Sequence, residues 1–199
     1  MSSKLKYTKA YDSPRRFISY YYQCEIVINL KPKTVLEVGV GNKTVSNYLK
    51  EMELDVKTCD IEMPADYKLD VREMSKLKDD SFDVVIAYEI LEHIPWEDLD
   101  KALLELRRVS KKYVVISVPW TGWPFNINIQ TPIGKDFNLG FWISRFFANM
   151  KPRNEHCWEI GFKNYPLKKI RNKLKEYFRI EKDFRVELNR YHHFFILSK

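Results

Sequence analysis

No run of apolar residues in this chain approaches the roughly 20 that a membrane-spanning helix needs. The opening Met1-Ser-Ser-Lys-Leu-Lys6 lacks the apolar stretch and small-residue cleavage site of a secretory signal. Cysteine is scarce: Cys24, Cys59 and Cys157 are odd in number and scattered without metal-ligand spacing, which reads as reduced thiols with no metal. Internal repeats, low-complexity tracts and linkers are missing too. These absences lead us to expect a cytoplasmic protein without a membrane span. At 199 residues it is long enough for one well-buried core and short for two.

What is present is ordinary in bulk, with 45% hydrophobic and 31% charged residues, but aromatic content is high at 15%. The net charge of +7 admits acidic partners such as phosphorylated metabolites, nucleic acid or acidic headgroups. Lys163, Lys168, Lys169, Arg171, Lys173, Lys175 and Arg179 face only Glu176 locally, a pattern more typical of a solvated helix face than of a binding patch.

The most informative segment is Glu37-Val-Gly-Val-Gly-Asn-Lys43. It follows the apolar run Thr34-Val-Leu36 and precedes a helical pattern, as in a strand that enters a tight glycine turn and then a helix amino-terminus. Gly39 and Gly41, lacking Cβ atoms, let a ligand lie against the backbone. Asp60 closes the next apolar strand, where an acid can grip ribose hydroxyls. Together these mark a site for a nucleoside-bearing cofactor.

Around this turn the pattern alternates strands and helices. Ser13-Pro14 reads as a helix start, with Phe17, Tyr20, Tyr21, Cys24 and Ile28 at helical spacing until Pro32. Strands are expected at Thr34–Val38, Asp55–Asp60, Tyr67–Leu69, Phe82–Tyr88 and Tyr113–Val118, with helices after Lys43 (Val45, Tyr48, Leu49 and Met52 on one face) and over Trp96–Val109. A last helix, Pro166 to Phe178, leads to strands Ile180–Val186 and Tyr191–Leu197, paired as a hairpin through Glu187–Asn189. The expected fold is a three-layer α/β/α sandwich on a mostly parallel seven-stranded sheet with an antiparallel C-terminal hairpin. One domain spans 1–199: a helical cover (1–32), a cofactor-binding core (33–119), a lid insertion (120–161), and the closing helix and hairpin (162–199).

With these elements in order, the chain resembles the class I, Rossmann-like S-adenosylmethionine-dependent methyltransferases, small-molecule type. The resemblance rests on the glycine turn, Asp60, Asp70 and the stretch Phe82-Asp-Val-Val-Ile-Ala-Tyr-Glu-Ile-Leu-Glu-His93, and runs from about Lys33 to Pro119. It implies S-adenosylmethionine as cofactor and S-adenosylhomocysteine as product. It places Glu37, with Gly39 and Gly41, beside the methionine moiety and Asp60 on the ribose. Ile61 would pack on adenine, with Asp70 and the Val71 N–H at its edge. Tyr88 and Glu89 would face the sulfonium. Asn42 and Lys43 depart from the family, which usually has a small residue or glycine at that corner.

Other readings fit less well. A nicotinamide dehydrogenase needs a third glycine where Thr44 stands, and a phosphate-binding loop fails on spacing. Without an Asn/Asp-Pro-Pro-Tyr/Phe signature after Tyr88, amide-nitrogen methylation of nucleic acid is disfavoured. A small-molecule acceptor with an oxygen, amine or carbon nucleophile is expected. The alternatives are an RNA methyltransferase using the basic C-terminal helix and a non-catalytic cofactor-binding or scaffolding subunit. His93 and His156 are the candidate general bases, with Glu89, Glu92 and Glu159 behind them. His192 and His193 read as structural, far from the crevice. The aromatic region after Pro119 (Trp120, Trp123, Phe125, Phe137, Phe141, Trp142, Phe146, Phe147 and Trp158) is the candidate substrate cover or, alternatively, a satellite core, and Phe141–Met150 suits a short helix.

Overall fold

The computed structural model describes residues 11–132, 136–153, 155–186 and 189–199. In chain order the elements are α1 (Pro14–Asn29), β1 (Thr34–Val38), α2 (Thr44–Glu51), β2 (Asp55–Cys59), β3 (Phe82–Tyr88), α3 (Leu99–Val109), β4 (Ser110–Pro119), β5 (Gly122–Gln130), β6 (Asp136–Ser144), α4 (Leu167–Lys175), β7 (Arg179–Val186) and β8 (Asn189–Ser198). Single 3-10 turns occupy Leu91–His93 and Trp96–Asp98.

Strands lie in the order β2-β1-β3-β4-β8-β7, parallel from β2 to β4 and antiparallel from β4 to β7. The strand alternation divides the core in two. Val35, Val84, Ile86, Val115 and Phe194 pack with Cys24 and Val27 of α1 and Val45 and Leu49 of α2. Leu36, Val85, Val114, Ile116 and Phe195 face Leu99, Leu103 and Leu106 of α3 and Ile170 and Leu174 of α4. The three layers are as expected.

The main sheet has six strands, not seven. Tyr67 makes only an isolated bridge to Cys59, because the Asp66 carboxylate takes the Thr58 N–H (2.8 Å) and hydroxyl (2.7 Å) at that edge. The helix expected over Phe141–Met150 is instead the end of β6 followed by turns. β-branched and aromatic residues suit a strand here, and Phe141 stacks on its cross-strand partner Phe125 at 4.7 Å. β5 and β6 form a separate two-stranded ribbon on which Trp123, Phe125, Ile127, Ile129, Leu139, Phe141 and Ile143 are exposed. Most of these rings are therefore not a satellite core, although Trp158 is buried.

α1 begins as expected, with the Ser13 hydroxyl accepting from the Arg16 N–H. Its buried face differs, however: Ser19, Gln23, Cys24, Ile26 and Val27 are inside, while Phe17, Tyr21 and Ile28 are exposed. Polar groups set that face, because the buried Asn189 amide of β8 donates to the Arg15 carbonyl (3.0 Å) and the Ser19 hydroxyl (2.6 Å). On α2, Val45 and Leu49 are buried but Tyr48 and Met52 are exposed. The β7–β8 hairpin forms as expected; of its expected turn, residues 187–188 lie outside the described residues.

Candidate active site

A cleft of about 750 Å³ opens at the carboxyl ends of β1, β2 and β3, the place where open parallel sheets hold ligands. Its wall includes Glu37, Gly39, Gly41, Asp60, Ile61, Asp70, Val71, Tyr88, Glu89, His93 and His156. These expected cofactor and base residues share one cavity, whereas Glu159, the remaining candidate base, does not line it.

The glycine turn builds one end. Gly39 has φ +77°, and a Cβ there would lie 1.9 Å from Ile90 Cδ1. Gly41 is also left-handed at φ +48°. The departure at Asn42 has a structural reason. Its Oδ1 accepts from the Thr44 N–H (3.1 Å) at the start of α2, and its Nδ2 donates to Asp12 (3.1 Å) and to the Tyr20 hydroxyl (3.0 Å), tying the turn to α1. Lys43 is left-handed (φ 65°) and does not line the cleft.

Asp60 spans the turn. Its Oδ2 accepts from the Val40 N–H (2.9 Å), and its Oδ1 from the Glu62 and Met63 N–H groups (both 2.8 Å). Of a carboxylate's roughly four acceptor sites, about one remains. Asp70 is clamped by Arg72, with Oδ1 on Nε at 3.0 Å and Oδ2 on Nη2 at 2.6 Å; these bonds hold its carboxyl below the usual range. Arg72 lines the same cleft.

Glu37 is buried, and its Oε2 has no hydrogen-bond partner among the described residues. Burial pushes its carboxyl up to about 7, opposed by Ser46 and Lys50, with Asp60 adding to the rise. Tyr88 is turned differently from expectation. Its hydroxyl donates to the Gln23 carbonyl of α1 (3.0 Å), so the phenol braces the helix rather than reaching for a ligand.

The other end of the cleft is acidic and imidazole-rich. Glu89 takes a left-handed backbone (φ 56°); its Oε1 accepts from the Ser117 hydroxyl (2.9 Å), and its Oε2 lies 3.5 Å from His192 Nε2. Burial lifts Glu89 to about 8, and Glu92 is raised well above the normal range by burial and then by the Glu89 charge. The segment carrying His156 docks on the turn after β3: Cys157 N–H donates to the Glu92 carbonyl (2.7 Å) and Trp158 Nε1 to the Ile94 carbonyl (3.1 Å). This sets the His93 and His156 rings edge to face, 4.8 Å apart. Glu159 is buried under Arg153 and Thr121 and takes His156 Nδ1 at 2.9 Å.

His192 corrects the sequence reading: it lines the cleft, and burial, helped by the Arg16 charge, depresses it to about 3. His193 is structural, bonded to Asp183 at 2.9 Å. Arg16, Glu92 and Tyr191 also line the cavity. Arg16 and Tyr191 carried no local signal, because only the docking of α1 and β8 brings them there. The expected aromatic cover does not close the cleft: no described residue from 120 to 150 lines it.

No helix among the described residues is long and apolar enough to cross a membrane. Residues 36–117 match the family model described as a methyltransferase domain. No curated protein matches the chain. Among solved structures, the Pyrococcus horikoshii OT3 protein PH0226 is similar at 16% identity and TM-score 0.61, covering 96% of this chain and 92% of that one. The magnesium protoporphyrin IX methyltransferase of Synechocystis PCC 6803, solved with bound S-adenosylhomocysteine, is similar at 14% identity and TM-score 0.61, covering 93% and 84%. The 1,6-didemethyltoxoflavin-N1-methyltransferase of Burkholderia thailandensis, bound to 1,6-didemethyltoxoflavin and S-adenosylhomocysteine, is similar at 14% identity and TM-score 0.57, covering 84% and 71%. Residues 36–117 thus match a methyltransferase domain, and the chain shares the fold of these solved structures.

Proposed function

We propose that this cleft binds S-adenosylmethionine along β1–β3 and methylates a small-molecule acceptor held between β3 and the 155–159 segment. The observation that carries the reading is the buried Glu37 Oε2, which has no partner beside a glycine turn that no Cβ could occupy without displacing Ile90. An anionic oxygen beside an open backbone suits the cofactor's ammonium group. The acceptor site left on Asp60 suits a ribose hydroxyl. Asp70 reaches the adenine amino group only by sharing its oxygens with Arg72, and Ile61, which is exposed, offers an apolar face to the ring. When bound, the cofactor supplies an electrophilic methyl group for in-line displacement.

The chain's own task is then alignment, exclusion of water and, where the acceptor is protonated, removal of that proton. His93 and His156 stand at the acceptor end, each with its Nδ1 engaged, His93 to the Glu155 carbonyl (2.9 Å) and His156 to Glu159. For His93 the partner is a carbonyl, which only accepts. Nδ1 therefore carries the hydrogen in that bond. Two of the solved structures named above are methyltransferases named for 1,6-didemethyltoxoflavin and magnesium protoporphyrin IX, in keeping with a small acceptor.

Calorimetry with S-adenosylhomocysteine tests the reading. Wild type should bind, and Asp60→Ala should lose roughly 1.5–3 kcal/mol, the scale of a hydrogen bond to a charged group. Equal affinity in both proteins counts against the ribose assignment. Incubating labelled cofactor with cell extract, followed by identification of the labelled product, would name the acceptor.

A further inference from the structure

We propose that Glu92, His93 and His156 form a binding site for a divalent transition-metal cation at the acceptor end of the cleft. The sequence reading assigns no metal, and the site arises only when the 155–158 segment docks on the turn after β3. One donor atom from each residue lies within 4.8 Å of the other two.

Three independent features point to a cation. Glu92 is fully buried, lines the cleft, and has neither carboxylate oxygen bonded to another described residue. A buried carboxyl in that state stays protonated or takes a positive partner, and a cation would let it ionise. Arg153 bonds to Glu159 instead, and His192 faces Glu89. The second feature is the pair of imidazoles beside it. His93 Nδ1 is bonded to the Glu155 carbonyl and His156 Nδ1 to the Glu159 carboxylate, both at 2.9 Å. Metal-binding histidines are oriented in this way, one ring nitrogen donating to a carbonyl or carboxylate so that the other presents its lone pair. The third is the composition of the set. Two imidazoles and one carboxylate suit zinc or a neighbouring first-row ion and leave coordination positions open. Ligand atoms around a tetrahedral zinc stand about 3.3–3.5 Å apart, given bonds of roughly 2.0–2.1 Å. The donors must therefore close by up to about 1.4 Å, an adjustment open to the exposed His93 side chain.

A cation there would take an acceptor hydroxyl as a further ligand and lower its pKa. The proton would leave to solvent, and the oxygen would form its bond to the methyl carbon as the carbon–sulfur bond breaks. That consequence rests on the methyltransferase reading, whereas metal uptake does not.

The test uses the full chain stripped with chelator, then titrated with zinc chloride by calorimetry and with cobalt(II) by visible absorption. Wild type should take up one equivalent, gain thermal stability, and give cobalt d–d bands of a four- or five-coordinate site. Glu92→Gln and His156→Ala should each weaken zinc by more than the roughly 10–100-fold expected from losing a merely orienting group. The far-ultraviolet circular dichroism of the metal-free variants should match that of wild type, which shows that the variants are folded. Wild type that binds S-adenosylhomocysteine but no zinc overturns the proposal and leaves the methyltransferase reading standing. So does zinc binding of equal strength in wild type and both variants.

Discussion

Glu37 makes the cleft sensitive to pH. Its carboxyl sits near 7 when folded, above its ordinary value, because burial disfavours the charge. On raising the pH from acid, the unfolded chain gives up this proton first, so the native state binds more protons in that window. The contribution of Glu37 to the stability of the free protein should therefore fall as pH rises from about 4.5 to 7, by an amount on the order of 3 kcal/mol. Cofactor binding should run the other way, because an ammonium group pairs with the ionised form. Affinity for S-adenosylhomocysteine should climb about tenfold per pH unit up to about 7 and then level. In Glu37→Gln the affinity dependence should flatten and the stability curve should lose the share of Glu37 while Glu89 and Glu92 keep theirs, which calorimetry and melting curves across pH 5–8 would check. Gly39 offers a second residue-scale test. Alanine there meets a left-handed φ and pushes on Ile90, so Gly39→Ala should cost roughly 1–2 kcal/mol of stability and weaken cofactor binding.

Among the elements, α1 is tied to the sheet through polar groups as well as through Cys24, Ile26 and Val27. Asn189→Ala removes two buried hydrogen bonds to this helix, and at roughly 0.5–1.5 kcal/mol each the loss should be about 1–3 kcal/mol. Because α1 brings Arg16, Ser19 and Tyr20 to the cleft, the same variant should weaken cofactor binding although Asn189 itself does not line the cavity. This element also shows where the sequence misleads. The Phe17, Tyr20, Tyr21, Cys24 and Ile28 spacing announces a helix correctly but names the wrong face, since the burial of Ser19 and Gln23 depends on partners more than 60 residues away. The cofactor-binding core from β1 to β4 was legible because strand, turn and acid follow one another locally. At the acceptor end, Glu92, His93 and His156 were visible one by one. Their convergence was not, since it depends on Trp158 seating beneath Ile94.

For the whole molecule, stability should be uneven. The β5–β6 ribbon has only two strands, each with an unpaired edge, and carries exposed aromatic rings; such ribbons are marginal alone. Hydrogen exchange should find its amides far less protected than those of β1, β3 and β4, and slow exchange there would mean the ribbon is covered in solution. The order β4-β8-β7 has a consequence in time. The strand between β4 and β7 is the last of the described elements in the sequence, yet it supplies Tyr191 and His192 to the cavity and Asn189 to the helix opposite. A chain still emerging from the ribosome can shape its glycine turn early, but it cannot finish the pocket until β8 has slotted into place. Ligand capture should therefore wait for β8 to be made rather than accompany the glycine turn.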